Sequence, residues 1–144
     1  MKMLKGEKTT IIDAKGLILG RMASVVAKRL LNGEKIIIVN AGDAVISGNR
    51  LRIIREAHDF LQIGHPGKGP LHPRRPDTIV KRTIRGMLPY KKPRGREALK
   101  RLRVYMGVPE ELKGISMETI PEAEVKKLRG SYITVSELAQ AIRG

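Results

Sequence analysis

An α/β domain is what this sequence predicts. Strand and helix signals alternate through its first third, and one of them, Ile36-Ile37-Ile38-Val39, is an unbroken β-branched run of the kind buried on both faces of a parallel sheet. Strand–helix–strand–helix at this spacing predicts right-handed βαβ units. The 144 residues suggest a single domain over 1–144, a size that buries roughly 68% of the surface of its unfolded chain. A hydrophobic fraction of 41% is ample for one core.

The elements follow in order. Ile11-Ile12 form a short apolar strand ending at Asp13, and Gly16 to Gly20 make a turn. Met22 to Leu31 read as a helix with Ala23, Val26, Ala27 and Leu30 on one face, and Gly33 stands where a left-handed helix end is expected. The strand Lys35 to Val39 comes next. Ser47 or Asn49 is placed to cap a second helix, in which Leu51, Ile54, His58 and Leu61 share a face.

At Gly64 the texture changes. Seven of the fourteen residues from Gly64 to Asp77 are Gly or Pro, and only Leu71 offers an apolar anchor. Such a segment cannot recover its ordering entropy by burial, and a loop of that length is usually functional or disordered. Asp77 is a candidate N-cap for a helix over 78–88 with Val80, Ile84 and Met87 inward and Lys81, Arg82 and Arg85 outward. Pro89 stops that helix, and Tyr90 to Gly95 form a basic turn. A further helix sets Leu99 and Leu102 against Arg96, Lys100 and Arg103. Residues 110–144 are a mildly acidic C-terminal segment. It ends in Thr134-Val135-Ser136-Glu137, a capping box that opens a helix with Leu138 and Ile142 inward.

Charge is concentrated in one block. Residues 64–105 hold thirteen Lys or Arg against two acids, a net of +11 within a whole-chain +15. Residues 1–63 have eleven bases and six acids, and residues 106–144 have five and six. A few like charges ordinarily make a solvated surface, but this block has no acidic partner nearby in sequence, so a polyanion is the expected complement. Nucleic acid fits. With only Phe60, Tyr90, Tyr105 and Tyr132 as aromatics, base stacking is expected to be minor beside phosphate and sugar contacts.

Other chemistry has little support. Gly16-Leu17-Ile18-Leu19-Gly20 lies between a strand and a helix, where a phosphate could meet free amides, yet it is neither G-x-G-x-x-G nor a Walker loop. His58, His65 and His72 recur every seven residues without cysteine, which suits ordinary helix and loop histidines better than a metal site. No nucleophile–base pair stands out, so neither catalysis, a cofactor nor a small-molecule substrate is expected. The absence of cysteine fits a reducing compartment. Met1 to Gly6 has no apolar stretch of signal-peptide type, and the longest apolar run is far short of the roughly 18 residues of a membrane span. A cytoplasmic chain with no membrane partner is expected.

Ile84-Arg85-Gly86-Met87-Leu88-Pro89, followed by Gly95-Arg96 and by Leu102-Arg103-Val104-Tyr105-Met106-Gly107, resembles the signature of the universal large-subunit ribosomal protein L-thirteen family. Upstream, Asp13-Ala14, Leu19-Gly20-Arg21-Met22-Ala23-Ser24, Ala27, Val39-Asn40-Ala41 and Ser47-Gly48-Asn49 are similar to its first two strand–helix units. The loop Gly69 to Pro76 resembles the archaeal and eukaryotic branch rather than the bacterial one. The resemblance covers about residues 11 to 109 and implies a three-layer α/β/α fold around a four-stranded, mainly parallel sheet with a basic Gly/Pro-rich extension. It also implies a structural, non-catalytic role on the ribosome, binding large-subunit ribosomal RNA early in assembly beside neighbouring ribosomal proteins. The residues expected to contact RNA are Lys68, Arg74, Arg75, Lys81, Arg82, Arg85, Lys91, Lys92, Arg94, Arg96, Lys100 and Arg101, with 64–77 as an RNA-binding loop. Two alternatives remain at this stage. One is a nucleotide-dependent RNA-modifying enzyme that uses the 16–20 turn, and the other is a generic polyanion binder.

Overall fold

The computed structural model describes residues 9–63, 75–128 and 130–143. Strand β1 (Thr9–Asp13), helix α1 (Leu19–Leu31) and strand β2 (Lys35–Val39) form the expected parallel unit, with Thr9 opposite Lys35 and Asp13 opposite Val39. Strand β3 (Val45–Ser47) and helix α2 (Arg50–Ile63) follow. Helices α3 (Pro76–Arg85) and α4 (Pro93–Lys100) lead into strand β4 (Leu102–Val104), which pairs parallel to β2 on its free side. The chain closes with strand β5 (Tyr132–Thr134) and helix α5 (Val135–Arg143). The main sheet is therefore three parallel strands in the order β1-β2-β4, and β3 and β5 form a separate antiparallel pair. An isolated parallel bridge from Ile18 to Val45 ties that pair to the start of α1.

The period of two along β1 and β2 sorts the core into two faces. Ile12, Ile36, Ile38 and Leu102 meet Met22, Val26 and Leu30 of α1, Val80 and Ile84 of α3 and Ala98 of α4. Ile11, Ile37 and Val39 point the other way, under Leu112 with Tyr105, Val108 and Met117. That second face is covered by the start of the irregular segment after β4, which includes the single helical turn Glu110–Leu112; two more single turns, Pro121–Ala123 and Val125–Lys127, follow before β5. A third cluster joins Ile133, Leu138 and Ile142 to Ile46, Ile53, Ile54, Ala57 and Ile79. Burial on both faces explains why β2 is a continuous apolar run.

Several local expectations need correction. Helix α1 starts three residues early, at Leu19, so Gly20 lies inside it and only Gly16 makes the turn, at φ 74°. Asn49, not Ser47, caps α2, its side-chain oxygen accepting from the Arg52 amide at 3.0 Å. Leu51 is 72% exposed, while Ile53, Ile54 and Ala57 face the core. Asp77 is not an N-cap: Pro76 takes the first helical position after Arg75, and Asp77 accepts from the Thr78 amide. Met87 is outside at 44% exposure and Leu88 is inside at 4%, because tighter bonds from Met87 to Ile84 and from Leu88 to Arg85 rotate the chain beyond the helix end. Leu102 is buried, but on β4 and not on a helix. The C-terminal capping box forms as expected, and Leu138 and Ile142 are buried.

Candidate nucleic-acid interface

Helices α1, α3 and α4 cover one face of the sheet, so their outward rows share one side of the molecule. On α3, Val80 and Ile84 are buried and Lys81, Arg82 and Arg85 are exposed, which follows from the 3.6-residue period. The turn into α4 exposes Lys91 and Lys92, and α4 itself exposes Arg94, Arg96 and Lys100. Lys81, Arg82, Lys91, Lys92 and Arg94 have no side-chain hydrogen bond or ion pair among the described residues. An unneutralised group of this density repels itself and attracts anions.

The turn between α3 and α4 is built tightly. The Tyr90 amide donates to the Leu88 carbonyl at 2.7 Å, and the Lys92 amide to that of Pro89 at 2.9 Å. Gly95, in the first turn of α4, lies so close to this turn that an added Cβ would strike the Pro89 carbonyl. One residue on, the Arg96 guanidinium donates to the Lys91 carbonyl at 3.0 Å. The Arg85 guanidinium lies over the Tyr90 ring, 4.5 Å from its centroid. The Arg–Gly–Met–Leu–Pro element and its Gly–Arg sequel are thus one packed unit.

The remaining expected contacts fall differently. Arg75 pairs with Asp77 at 3.3 Å and Lys100 with Glu97 at 3.5 Å, both exposed and therefore weak pairs that a phosphate can replace. Arg101 turns into the fold, its Nη1 donating to the Leu30 carbonyl at 2.7 Å near the end of α1. Lys68 and Arg74, with His65, Leu71 and His72, lie outside the described residues. The structure adds Arg21 and Lys28, exposed on α1 in the same helical layer, whereas Arg103, exposed on β4 in register with Ile37, alternates onto the other face of the sheet. Arg21 and Lys28 were findable, since the face opposite Ala23, Val26, Ala27 and Leu30 contains them.

Three of the five amides of the 16–20 turn are already taken by backbone carbonyls. The amides of Gly16, Leu17 and Ile18 donate to the carbonyls of Asp43, Ala14 and Ala123. Asp13 and Asn40, at the ends of β1 and β2, serve each other: Asn40 Nδ2 donates to Asp13 Oδ1 at 3.0 Å, and the Lys15 amide donates to the same oxygen. Asn40 holds a left-handed φ of 55° there. Toward the other end of β1, near Thr10, Arg29 binds Glu34 in a two-pronged pair at 2.8 Å and reaches Glu118 at 3.7 Å. The bond to Glu34 holds its guanidinium above the ordinary arginine value. Among the described residues there is no cluster of three His, Cys, Asp or Glu able to hold a metal, and no helix long and apolar enough to cross a membrane.

Comparison with known proteins finds relatives along most of the chain. The family model for Ribosomal protein L13 matches residues 7–111. A protein of Methanosarcina barkeri named Large ribosomal subunit protein uL13 is 55% identical over 133 residues, covering 91% of this chain and 95% of the relative. Proteins of the same name from Methanocaldococcus jannaschii and Archaeoglobus fulgidus are 52% and 49% identical, covering 91% and 94% of this chain and 95% and 88% of the relatives.

Proposed function

The chain belongs to the ribosomal protein L13 family, and from that premise we propose that it is a structural component of the large ribosomal subunit, not an enzyme, holding large-subunit ribosomal RNA through the outer side of its helical layer. The observation that carries this reading is the set of unpartnered cations on α3, the following turn and α4, over a packed core that needs none of them. The lysines and arginines take phosphates, and α3 and α4 set their spacing. Contacts of this kind position a protein on a folded RNA without reading much sequence. Lys68 and Arg74, in the basic arm ahead of α3, extend the grip. Neighbouring ribosomal proteins are the remaining partners, the location is the cytoplasmic ribosome, and the role is in early subunit assembly.

Sedimentation of a lysate at high salt tests this. A merely adhesive basic protein washes off, because six to ten phosphate contacts lose about 10³–10⁵ in affinity between 50 and 200 mM salt. The expected result is stoichiometric retention on the large subunit. Release from the particle would overturn the reading and return the enzyme alternative.

A further inference from the structure

Resting on the ribosomal RNA reading, we infer that the Arg85–Tyr90 pair is a stacking site for an unpaired RNA base. Along α3, the turn and α4, Met87 and Tyr90 are the only exposed large hydrophobic residues, at 44% and 37% exposure. Both sit within three residues of one another, in the middle of the cationic surface. Phosphate gripping gives no reason to leave apolar area in water there, whereas a base covers it. Arg85 is exposed, has no acidic partner among the described residues, and lies over the Tyr90 ring with its Cζ 4.5 Å from the centroid. A guanidinium and a phenol ring are both surfaces on which splayed bases stack.

The pair is also held in advance. Tyr90 is fixed through its amide to the Leu88 carbonyl, and Gly95 brings α4 onto the Pro89–Tyr90 backbone. A platform that does not have to be ordered on binding keeps more of its stacking energy. Lys81, Arg82, Lys91 and Lys92 surround it in sequence and can take the phosphates on either side of the stacked nucleotide. A base inside a duplex has both faces covered by its neighbours, so the ligand is a nucleotide in a loop, a bulge or a single strand.

Stacking and phosphate binding differ in their response to salt, and this separates the inference from the reading beneath it. Affinity of the full chain is measured against salt for a short single-stranded RNA and for a blunt RNA duplex matched to it in phosphate number. Tyr90→Leu keeps apolar bulk but removes the ring, and is expected to weaken the single-stranded probe by about tenfold at unchanged salt slope. Tyr90→Phe should match the wild type, and the duplex should not distinguish the three. Arg82→Ala should instead lower the slope by about one on both probes. Should Tyr90→Leu fail to fold, Arg85→Lys keeps the charge and loses the planar face, and is expected to reproduce the selective loss. Equal binding by Tyr90→Leu and wild type, or equal losses on both probes, would overturn the stacking site and leave the exposed ring to a protein contact. A loss confined to Tyr90→Leu, with no slope change in Arg82→Ala, would keep the stack and remove α3 from the phosphate surface.

Discussion

A methyl group at position 95 would land on the Pro89 carbonyl, and its other nearest neighbours are the Pro89 carbonyl carbon and the Tyr90 amide nitrogen. All three are backbone atoms, which cannot swing away as a flexible side chain can. Gly95→Ala should therefore destabilise the fold by ~1–3 kcal/mol in a denaturant melt, and should weaken RNA binding with it by displacing Tyr90 and Arg96. Gly86, in the same signature, is the control. Its φ is negative and its nearest neighbour is an ordinary 3.5 Å away, so Gly86→Ala should leave stability unchanged or raise it by up to about 1 kcal/mol. Arg101 separates structure from binding in another way. Because its guanidinium bonds the Leu30 carbonyl, Arg101→Ala should cost about 1–2 kcal/mol of stability. The same change should alter the salt slope of RNA binding less than Arg82→Ala does. A full unit of lost slope at unchanged stability would mean that Arg101 leaves the fold to bind phosphate.

Helix α5 is the element whose fixing is most local. The Thr134 hydroxyl accepts from the Glu137 amide at 3.1 Å, and Glu137 accepts from the Thr134 amide at 3.2 Å while also pairing with Arg50 of α2. These bonds, the Thr134 amide first and Arg50 next, hold the Glu137 carboxyl below the ordinary glutamate value. A carboxyl that ionises at lower pH in the folded state adds stability that is fully present above its unfolded pKa and is lost as pH falls through its folded one. Denaturation midpoints of the wild type should therefore decline across that acid window, and Glu137→Gln should flatten this part of the decline. Equal pH dependence in both would remove Glu137 from the linkage. The capping box was legible because its signal is contained in four consecutive residues. So was β2, whose apolar run needs no partner to be seen. β3, β4 and β5 are three residues each, too short to show an alternation, and Leu102 continues the helical spacing from Leu99 although the chain has already extended into β4. Pairing with β2 decides that, and pairing is tertiary. For the same reason the charge of the candidate interface was readable while the inward turn of Arg101 was not: Leu30 is 71 residues away.

At the scale of the whole molecule, salt should act with opposite signs on folding and on binding. The chain carries +15, of which +11 lies in residues 64–105, and the described cations of α3, the turn and α4 point outward from one helical layer. Raising ionic strength from 0.01 to 0.15 M shortens the screening length from about 30 to about 8 Å, which suppresses repulsion across that layer. Screening also weakens the exposed pairs Arg52–Glu56, Lys100–Glu97 and Lys113–Glu110. Each of these is worth only about 0–1 kcal/mol, and they are outnumbered by unpartnered cations, so relief of repulsion should win. The melting midpoint of the free chain should rise over this range, while its affinity for RNA falls steeply as counterions compete for the phosphates. Circular-dichroism melts at a series of salt concentrations check the first half, and titrations of the same samples with RNA check the second. A midpoint that stays flat or drops with salt would mean that the acids of residues 106–144 already balance the helical layer across the fold. In that case the fold would not need the RNA's charge. With a rising midpoint, bound RNA supplies the same relief locally and should raise the melting point most at low salt, where it also binds most tightly.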